Sequence, residues 1–278
     1  MKKAALIILL LLFIMTKYMY SQPKIDIREP NEKLLGSTIS IEKEQIYSGH
    51  LLLINQDYPV QDSGIMKDII HLSDTPFLAQ GYSLLQPDIQ LSEHVANEIS
   101  KMIKAAAKDG IDDFMINSGY RTFEEQEQLY LEMGTEYAMP AGFSEHNAGL
   151  SLDIGSSKMK MENAREGKWL EKNAWKYGFI LRYPKKKVAI TGIQYEPWHF
   201  RYVGLPHSAV IHQKDLVLEQ YLEYIKKKKT IMVHLNGEEY EVSYYHLADQ
   251  ASIDVEVGNT YEVSGDNMSG VIVTSWEL

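Results

Sequence analysis

A glycine at position 149 divides the run Ser144-Glu145-His146-Asn147-Ala148-Gly149-Leu150-Ser151-Leu152-Asp153-Ile154-Gly155 into two parts that cannot share one helix. Glycine breaks the helical register and favours a turn, and beyond it the apolar residues fall on alternate positions. That period of two specifies a short strand, with Leu150, Leu152 and Ile154 toward a core and Ser151 and Asp153 on the opposite face. His146 lies seven residues before Asp153, so a His-turn-strand arrangement fits better than two groups on one helix turn. A carboxylate in such an apolar run is costly unless it meets a cation or a metal.

A second segment adds to this face. Glu196-Pro197-Trp198-His199 follows Ala189–Tyr195, which reads as extended, and Pro197 stiffens the chain between the acid and the imidazole. Two imidazoles, an aspartate and a further glutamate are the parts of a catalytic zinc site, in which three protein ligands leave a fourth position for water. Glu196 also has a plain reading, as a surface charge beside a proline. His50, His71, His94, His207, His212, His234 and His246 have no comparable partner spacing and are read as structural.

These blocks carry a family resemblance. Ser144-x-His146-x-x-Gly149-x-x-x-Asp153 followed by Glu196-x-Trp198-His199 resembles the zinc D-alanyl-D-alanine carboxypeptidases of the VanY type, within the wider group that also holds lysostaphin-like enzymes and Hedgehog signalling domains. Ser118-Gly119-Tyr120-Arg121-Thr122 with Gln126 is similar to the substrate-binding segment of that family. The resemblance covers roughly residues 46 to 225. It is strongest to the accessory membrane-bound carboxypeptidases of glycopeptide-resistance clusters, through Leu51-Leu52-Leu53-Ile54-Asn55 and Trp175-Lys176-Tyr177-Gly178-Phe179-Ile180-Leu181-Arg182-Tyr183-Pro184. Ser151 departs from the alanine that many members carry, adding a hydroxyl near the metal without removing a ligand.

Carried over by position, the resemblance implies His146, Asp153 and His199 as zinc ligands and Glu196 as general base. It implies that Arg121 binds substrate and stabilises the transition state, with Ser144 and Gln126 bonding the terminal residue. The residues agree in part: Arg121 follows an expected strand, Phe114-Met115-Ile116-Asn117-Ser118, and precedes a helix, so it projects from a strand-to-helix junction. A guanidinium there suits a terminal carboxylate or a developing oxyanion, and the plain alternative is a surface arginine at a helix start. Tyr120 and Trp198 have two readings, lining of the pocket or packing. The implied reaction is removal of the terminal D-alanine from peptidoglycan precursors, which in a resistance setting lowers the number of termini a glycopeptide antibiotic can grip. An L,D-carboxypeptidase of the same fold and a zinc-bearing wall-binding module without catalysis are the alternatives; a mere binding module needs neither Glu196 nor Arg121.

Charge and composition narrow the partners. A net charge of -10 argues against nucleic acid or anionic lipid as the main ligand, and makes one local cation, Arg121, more useful toward an anionic wall substrate. No cysteine is present, so a thiolate-bound metal, a disulfide scaffold and a lipidated cysteine are all excluded. Lys2 and Lys3 precede the apolar run Ala4–Met15, and Lys17, Tyr18, Met19 and Tyr20 follow without a small-x-small cleavage site. Residues 1–20 therefore read as an uncleaved signal and membrane anchor that holds the remainder outside the cell, with cleavage the alternative.

Residues 21–45 are polar, charged and proline-bearing, and are read as a tether. Residues 46–225 form the expected catalytic domain, with Leu51–Asn55 as a strand and helices over Leu91–Ala107, from Gln126 to Met133, over Lys168–Tyr177 closed by Gly178, and over Leu216–Ile225. Without a regular βαβ alternation this is an α+β domain, a small antiparallel sheet carrying the metal and flanked by helices. The lysines 226–229 mark a boundary. Beyond them Thr230–Leu235, Asn236-Gly237 and Glu238–Tyr245 specify a hairpin, and strands at Ser252–Val257, Thr260–Ser264 and Gly270–Thr274 complete a small all-β module over 226–278.

Overall fold

The computed structural model describes residues 24–30, 37–134, 138–247, 251–258 and 260–277. The anchor expected over 1–20 lies outside them, and among the described residues no helix is long and apolar enough to cross a membrane. In chain order the strands are β1 (Ile25–Arg28), β2 (Ser37–Glu42), β3 (Ile69–His71), β4 (Tyr82–Leu84), β5 (Gln90–Ser92), β6 (Phe114–Ser118), β7 (Ser151–Ser156), β8 (Phe179–Leu181), β9 (His199–Tyr202), β10 (Thr230–Leu235), β11 (Glu238–His246), β12 (Ser252–Val257), β13 (Thr260–Gly265) and β14 (Gly270–Trp276). The helices are α1 (Glu93–Lys108), α2 (Phe123–Met133), α3 (Arg165–Asn173), α4 (Val188–Thr191), α5 (His207–Gln213) and α6 (Leu218–Lys228).

The sheet that positions the site has the order β4-β6-β7-β9-β8. Its pairs are antiparallel except the β4–β6 edge, which is parallel. Strand β7 sits at its centre, and Leu150, Leu152 and Ile154 point into a core shared with Val95, Ile99, Met102 and Ile103 of α1. Those four recur at helical spacing on one face of α1, and Ser92 caps its first turn by accepting from the Val95 amide. The α+β architecture and the antiparallel sheet carrying the candidate ligands are as expected.

The C-terminal strands form a second sheet, β1-β10-β11-β14-β13, and β2 pairs with β12 beside it. The Asn236-Gly237 turn has φ of 58° and 97°, the left-handed pair that a two-residue hairpin needs. This sheet is not set off by a linker. Helix α6 runs through Lys228 and β10 begins at Thr230, and Leu218, Tyr221, Leu222 and Ile225 of the helix share one buried cluster with Ile231, Val233, Val242 and Ile272 of the sheet. The expected boundary at the four lysines is therefore a helix end, not a solvated connection.

Three further expectations change. The stretch read as a tether contributes β1 and β2, because Ile25/Ile27 and Ile39/Ile41 alternate with polar residues and find partner strands in the C-terminal half. Leu51–Asn55 is extended without a ladder: Leu51 and Leu53 enter the second core while Leu52 and Ile54 enter the first. Its amides bond elsewhere, Leu51 to the Ser264 hydroxyl and Leu53 to the Asp266 carbonyl. Residues 189–191, the start of the run expected to be extended, lie in the helical turn α4, closed by the Gly192 amide on the Val188 carbonyl with Gly192 at φ 72°. Helices α1, α2 and α6 lie within three residues of their expected bounds; α3 ends at Asn173 and a 3-10 turn continues to Tyr177, where Gly178 closes it in the left-handed region, while α5 has no counterpart among the expected helices.

Candidate active site

His146 and Asp153 reach one another across a single turn. Ser144 caps the short 3-10 turn Glu145–Ala148, its hydroxyl accepting from the His146 amide, and Gly149 leaves that turn at φ 76°. A Cβ at Gly149 would lie 2.6 Å from Ile69 Cδ1, the movable end of that side chain, and the left-handed backbone there favours glycine. Asp153 pairs with His199 in the β7–β9 ladder, which sets the third group directly opposite the second.

The candidate ligand atoms of His146, Asp153 and His199 all lie within 4.8 Å of one another. Asp153 Oδ1 stands 3.5 Å from His146 Nε2 and 3.3 Å from His199 Nδ1, yet it is buried and accepts no hydrogen bond from any described residue. Its pKa falls far below the usual carboxylate range: burial alone would raise it, and the two imidazoles outweigh burial. The far sides of both rings are held. His146 Nδ1 lies 2.6 Å from the Gly119 carbonyl, and His199 Nε2 lies 3.2 Å from Glu145 Oε2. Three inward-facing ligand groups, two of them braced from behind, fit a divalent cation and the His/His/Asp set that zinc takes.

Burial opposes a charge on His199, but Asp153 and Glu145 prevail and raise its pKa to about 9. His146 goes the other way, lowered by burial and then by the Arg121 charge. Glu196 Oε2 sits 3.6 Å from His199 Nδ1, and burial raises its carboxyl pKa, the nearby His199 and Arg121 opposing. Its amide donates to the Tyr183 carbonyl and its carbonyl accepts from the His199 amide, so the acid is fixed to the start of the strand that carries His199. Arg121 lies at the junction of β6 and α2, as expected. Its amide donates to the His146 carbonyl, its Nε is buried without a partner among the described residues, and burial lowers its pKa while Asp153 and Glu196 act to raise it.

The other expected substrate contacts are placed less uniformly. Ser144 is buried at the cap of the His146 turn. Gln126 is buried on α2, its Nε2 donating to the Met139 carbonyl at 2.6 Å and its Oε1 buried and without a partner among the described residues. Tyr120 packs beside the Gly149 turn and bridges to Gln90. Trp198 is 39% exposed and lines a pocket with Asn117, Gly155, Met159 and Pro197, on the continuation of the Asp153 face of β7.

Several residues of the site carry no motif. Asn147, fully buried, donates to the Arg121 and Thr122 carbonyls and accepts from the Gly142 amide, tying three loops together. Glu145, Arg182 and Arg201 form a buried charge cluster behind His199, and the Ser151 hydroxyl turns to Glu145. The one signal for Arg201 is spacing, since two residues after His199 it shares that residue's face and pairs with Ser151.

Residues 88–205 match the VanY family, described as D-alanyl-D-alanine carboxypeptidase. A D-alanyl-D-alanine carboxypeptidase of Enterococcus faecium is 51% identical, over 99% of this chain and 96% of its own length. The structure of a vancomycin resistance D,D-dipeptidase, VanXYg, in complex with a D-Ala-D-Ala phosphinate analog superposes with a TM-score of 0.76 at 30% identity, covering 87% of this chain and 99% of that one. A mutant of the vancomycin resistance D,D-pentapeptidase VanY from a VanB-type resistance cassette, in complex with Zn(II), gives a TM-score of 0.52 at 27% identity, covering 62% of this chain and 98% of that one.

Proposed function

The chain belongs to the VanY family of D-alanyl-D-alanine carboxypeptidases, and on that footing we propose that it is a zinc-dependent D,D-carboxypeptidase that hydrolyses the terminal D-alanine from peptidoglycan precursor peptides ending in D-Ala-D-Ala. The observation that carries this reading is the convergence of His146, Asp153 and His199, with Asp153 Oδ1 lacking a donor, beside Glu196 and an Arg121 whose Nε is buried without a partner among the described residues.

When bound, zinc supplies a Lewis acid that polarises a carbonyl and brings the pKa of water to roughly 7. The chain's residues do the rest. Glu196 takes a proton from the attacking water and returns it to the amine of the departing D-alanine, and its raised pKa suits both transfers. Arg121 offers its free edge to the terminal carboxylate or to the oxyanion that develops on the scissile carbonyl. Ser144 and Gln126 bound the pocket for the terminal residue, and Tyr120 and Trp198 frame its sides.

Removing this D-alanine depletes the termini that a glycopeptide antibiotic binds, so the reading extends to glycopeptide resistance, in keeping with the vancomycin resistance relatives. Residues 1–20 fit a membrane anchor that keeps the enzyme at the outer face of the cell membrane, near its precursors, supported by Lys2, Lys3 and the apolar run that follows.

The test is a pair of precursor peptides. A pentapeptide ending in D-Ala-D-Ala releases D-alanine, chelator stops release and added zinc restores it, while the tetrapeptide is not cut. Cleavage of the tetrapeptide with the pentapeptide spared would assign L,D specificity, and no metal-dependent release from either would leave a binding module.

A further inference from the structure

Behind the face that carries the candidate ligands lies a set of buried charges that the chemistry above does not use. The Glu145 side chain has no solvent exposure. Its Oε1 accepts from Arg182 Nε at 2.8 Å and from Arg201 Nη1 at 2.7 Å. Its Oε2 accepts from the Ser151 hydroxyl at 3.0 Å and faces His199 Nε2 at 3.2 Å.

Both guanidiniums are held on several sides. Arg201 also donates from Nε to the Tyr202 carbonyl and from Nη2 to the carbonyls of His50 and Leu52. Arg182 turns its outer edge to Glu219 on α6, with bonds of 2.9 and 2.6 Å. Two carboxylates and two guanidiniums cancel in charge, which permits their burial. They also leave Glu145 a single role toward His199. An ionised carboxylate only accepts, so the hydrogen of the neutral imidazole must sit on Nε2. The lone pair is then on Nδ1, the nitrogen that faces Asp153 at 3.3 Å and Glu196 at 3.6 Å.

We propose that Glu145 is a positioning residue for the metal centre: clamped by Arg182 and Arg201, it fixes His199 in the tautomer that ligates through Nδ1, and through Arg182 and Glu219 it makes helix α6 part of the metal's support. This rests on the reading of His146, Asp153 and His199 as ligands. A cluster that merely stabilised the fold would leave the choice of nitrogen and the metal affinity unchanged.

The wild-type full chain tests the first half without any substitution. Loaded with cadmium-113 and labelled with nitrogen-15 histidine, it should give two metal-coupled imidazoles, one through Nε2 from His146 and one through Nδ1 from His199. No coupled imidazole overturns the ligand reading itself; coupling of both through Nε2 overturns the role of Glu145 and leaves that reading intact.

Substitution tests the second half. In Glu145→Gln the amide oxygen is drawn to the two guanidiniums and its NH2 is turned to His199, which disfavours the Nε2–H tautomer. Zinc affinity, measured by competition with a chromophoric chelator, should fall about 10- to 100-fold. Affinity within about twofold of wild type, in a folded variant, contradicts the proposal. Should that variant not fold, Glu219→Gln decides, because Glu219 lies at the partly exposed end of the chain of contacts. A severalfold loss of zinc affinity with an unchanged circular dichroism spectrum supports the link to α6, and unchanged affinity removes it.

Discussion

Glu196 and Arg121 stand beside the same candidate metal set but with opposite charge, and their loss should be felt differently. Replacing Glu196 by alanine removes the proton carrier and none of the three ligand atoms, so kcat should fall on the order of 10²- to 10⁴-fold while zinc stays bound. Arg121→Ala should raise KM and lower kcat together, with kcat/KM reduced by about 2 to 3 kcal/mol, the order of one charge-assisted hydrogen bond. Steady-state kinetics on the pentapeptide checks both, and a change confined to KM would mean that Arg121 holds only the ground state. At this scale the sequence is legible where chemistry and spacing coincide. His146, Asp153 and His199 stand in a turn-then-strand pattern that only one face can satisfy, and the ladder places them together. Glu145 is not legible in the same way, because its partners Arg182 and Arg201 lie 37 and 56 residues away and nothing local distinguishes it from a surface acid.

Strand β7 and the turn before it hold the site at the scale of an element. Gly149→Ala should destabilise the fold by about 1 to 2 kcal/mol from the left-handed backbone, with Ile69 Cδ1 shifting to admit the methyl group. Urea unfolding measures it, and a neutral result would mean that the turn relaxes at no cost. Local patterns specified α1, α2, β7 and the Asn-Gly hairpin because periodicity and caps act within a few residues. They failed for Leu51–Asn55, whose alternation is real but divides two cores instead of two faces of a sheet. They failed also for residues 189–191, expected to be extended, where the Gly192 cap closed a helical turn.

Across the whole molecule the two sheets are joined by α5 and α6, not by a linker. Deleting residues 230–277 would expose Leu218, Tyr221, Leu222 and Ile225, and the shortened chain should lose its cooperative thermal transition. A shortened chain that still melts cooperatively and releases D-alanine would restore the separate module expected from the lysine run. His207 adds a pH dependence to the same junction. It is buried between the Tyr221 hydroxyl at 2.6 Å and Thr274 Oγ1 at 3.1 Å, and burial lowers its pKa to about 4. The unfolded chain takes up this proton near the ordinary histidine value, so the stability His207 contributes is present above about pH 6.5 and is lost progressively toward pH 4. Its full extent is on the order of 3 kcal/mol. Urea unfolding at pH 7, 5.5 and 4.5 should give a flatter pH profile for His207→Gln than for wild type, and equal slopes would assign the dependence to other groups.

The central claim is that one divalent ion, held by His146, Asp153 and His199, works with Glu196 to cut the terminal D-alanine bond. Metal content and D-alanine release, measured on the same preparations of wild type and Glu196→Ala, test it most directly. One zinc per chain is predicted in both proteins, with release in the wild type alone. Wild type free of transition metal yet active, or Glu196→Ala with full activity, would contradict it.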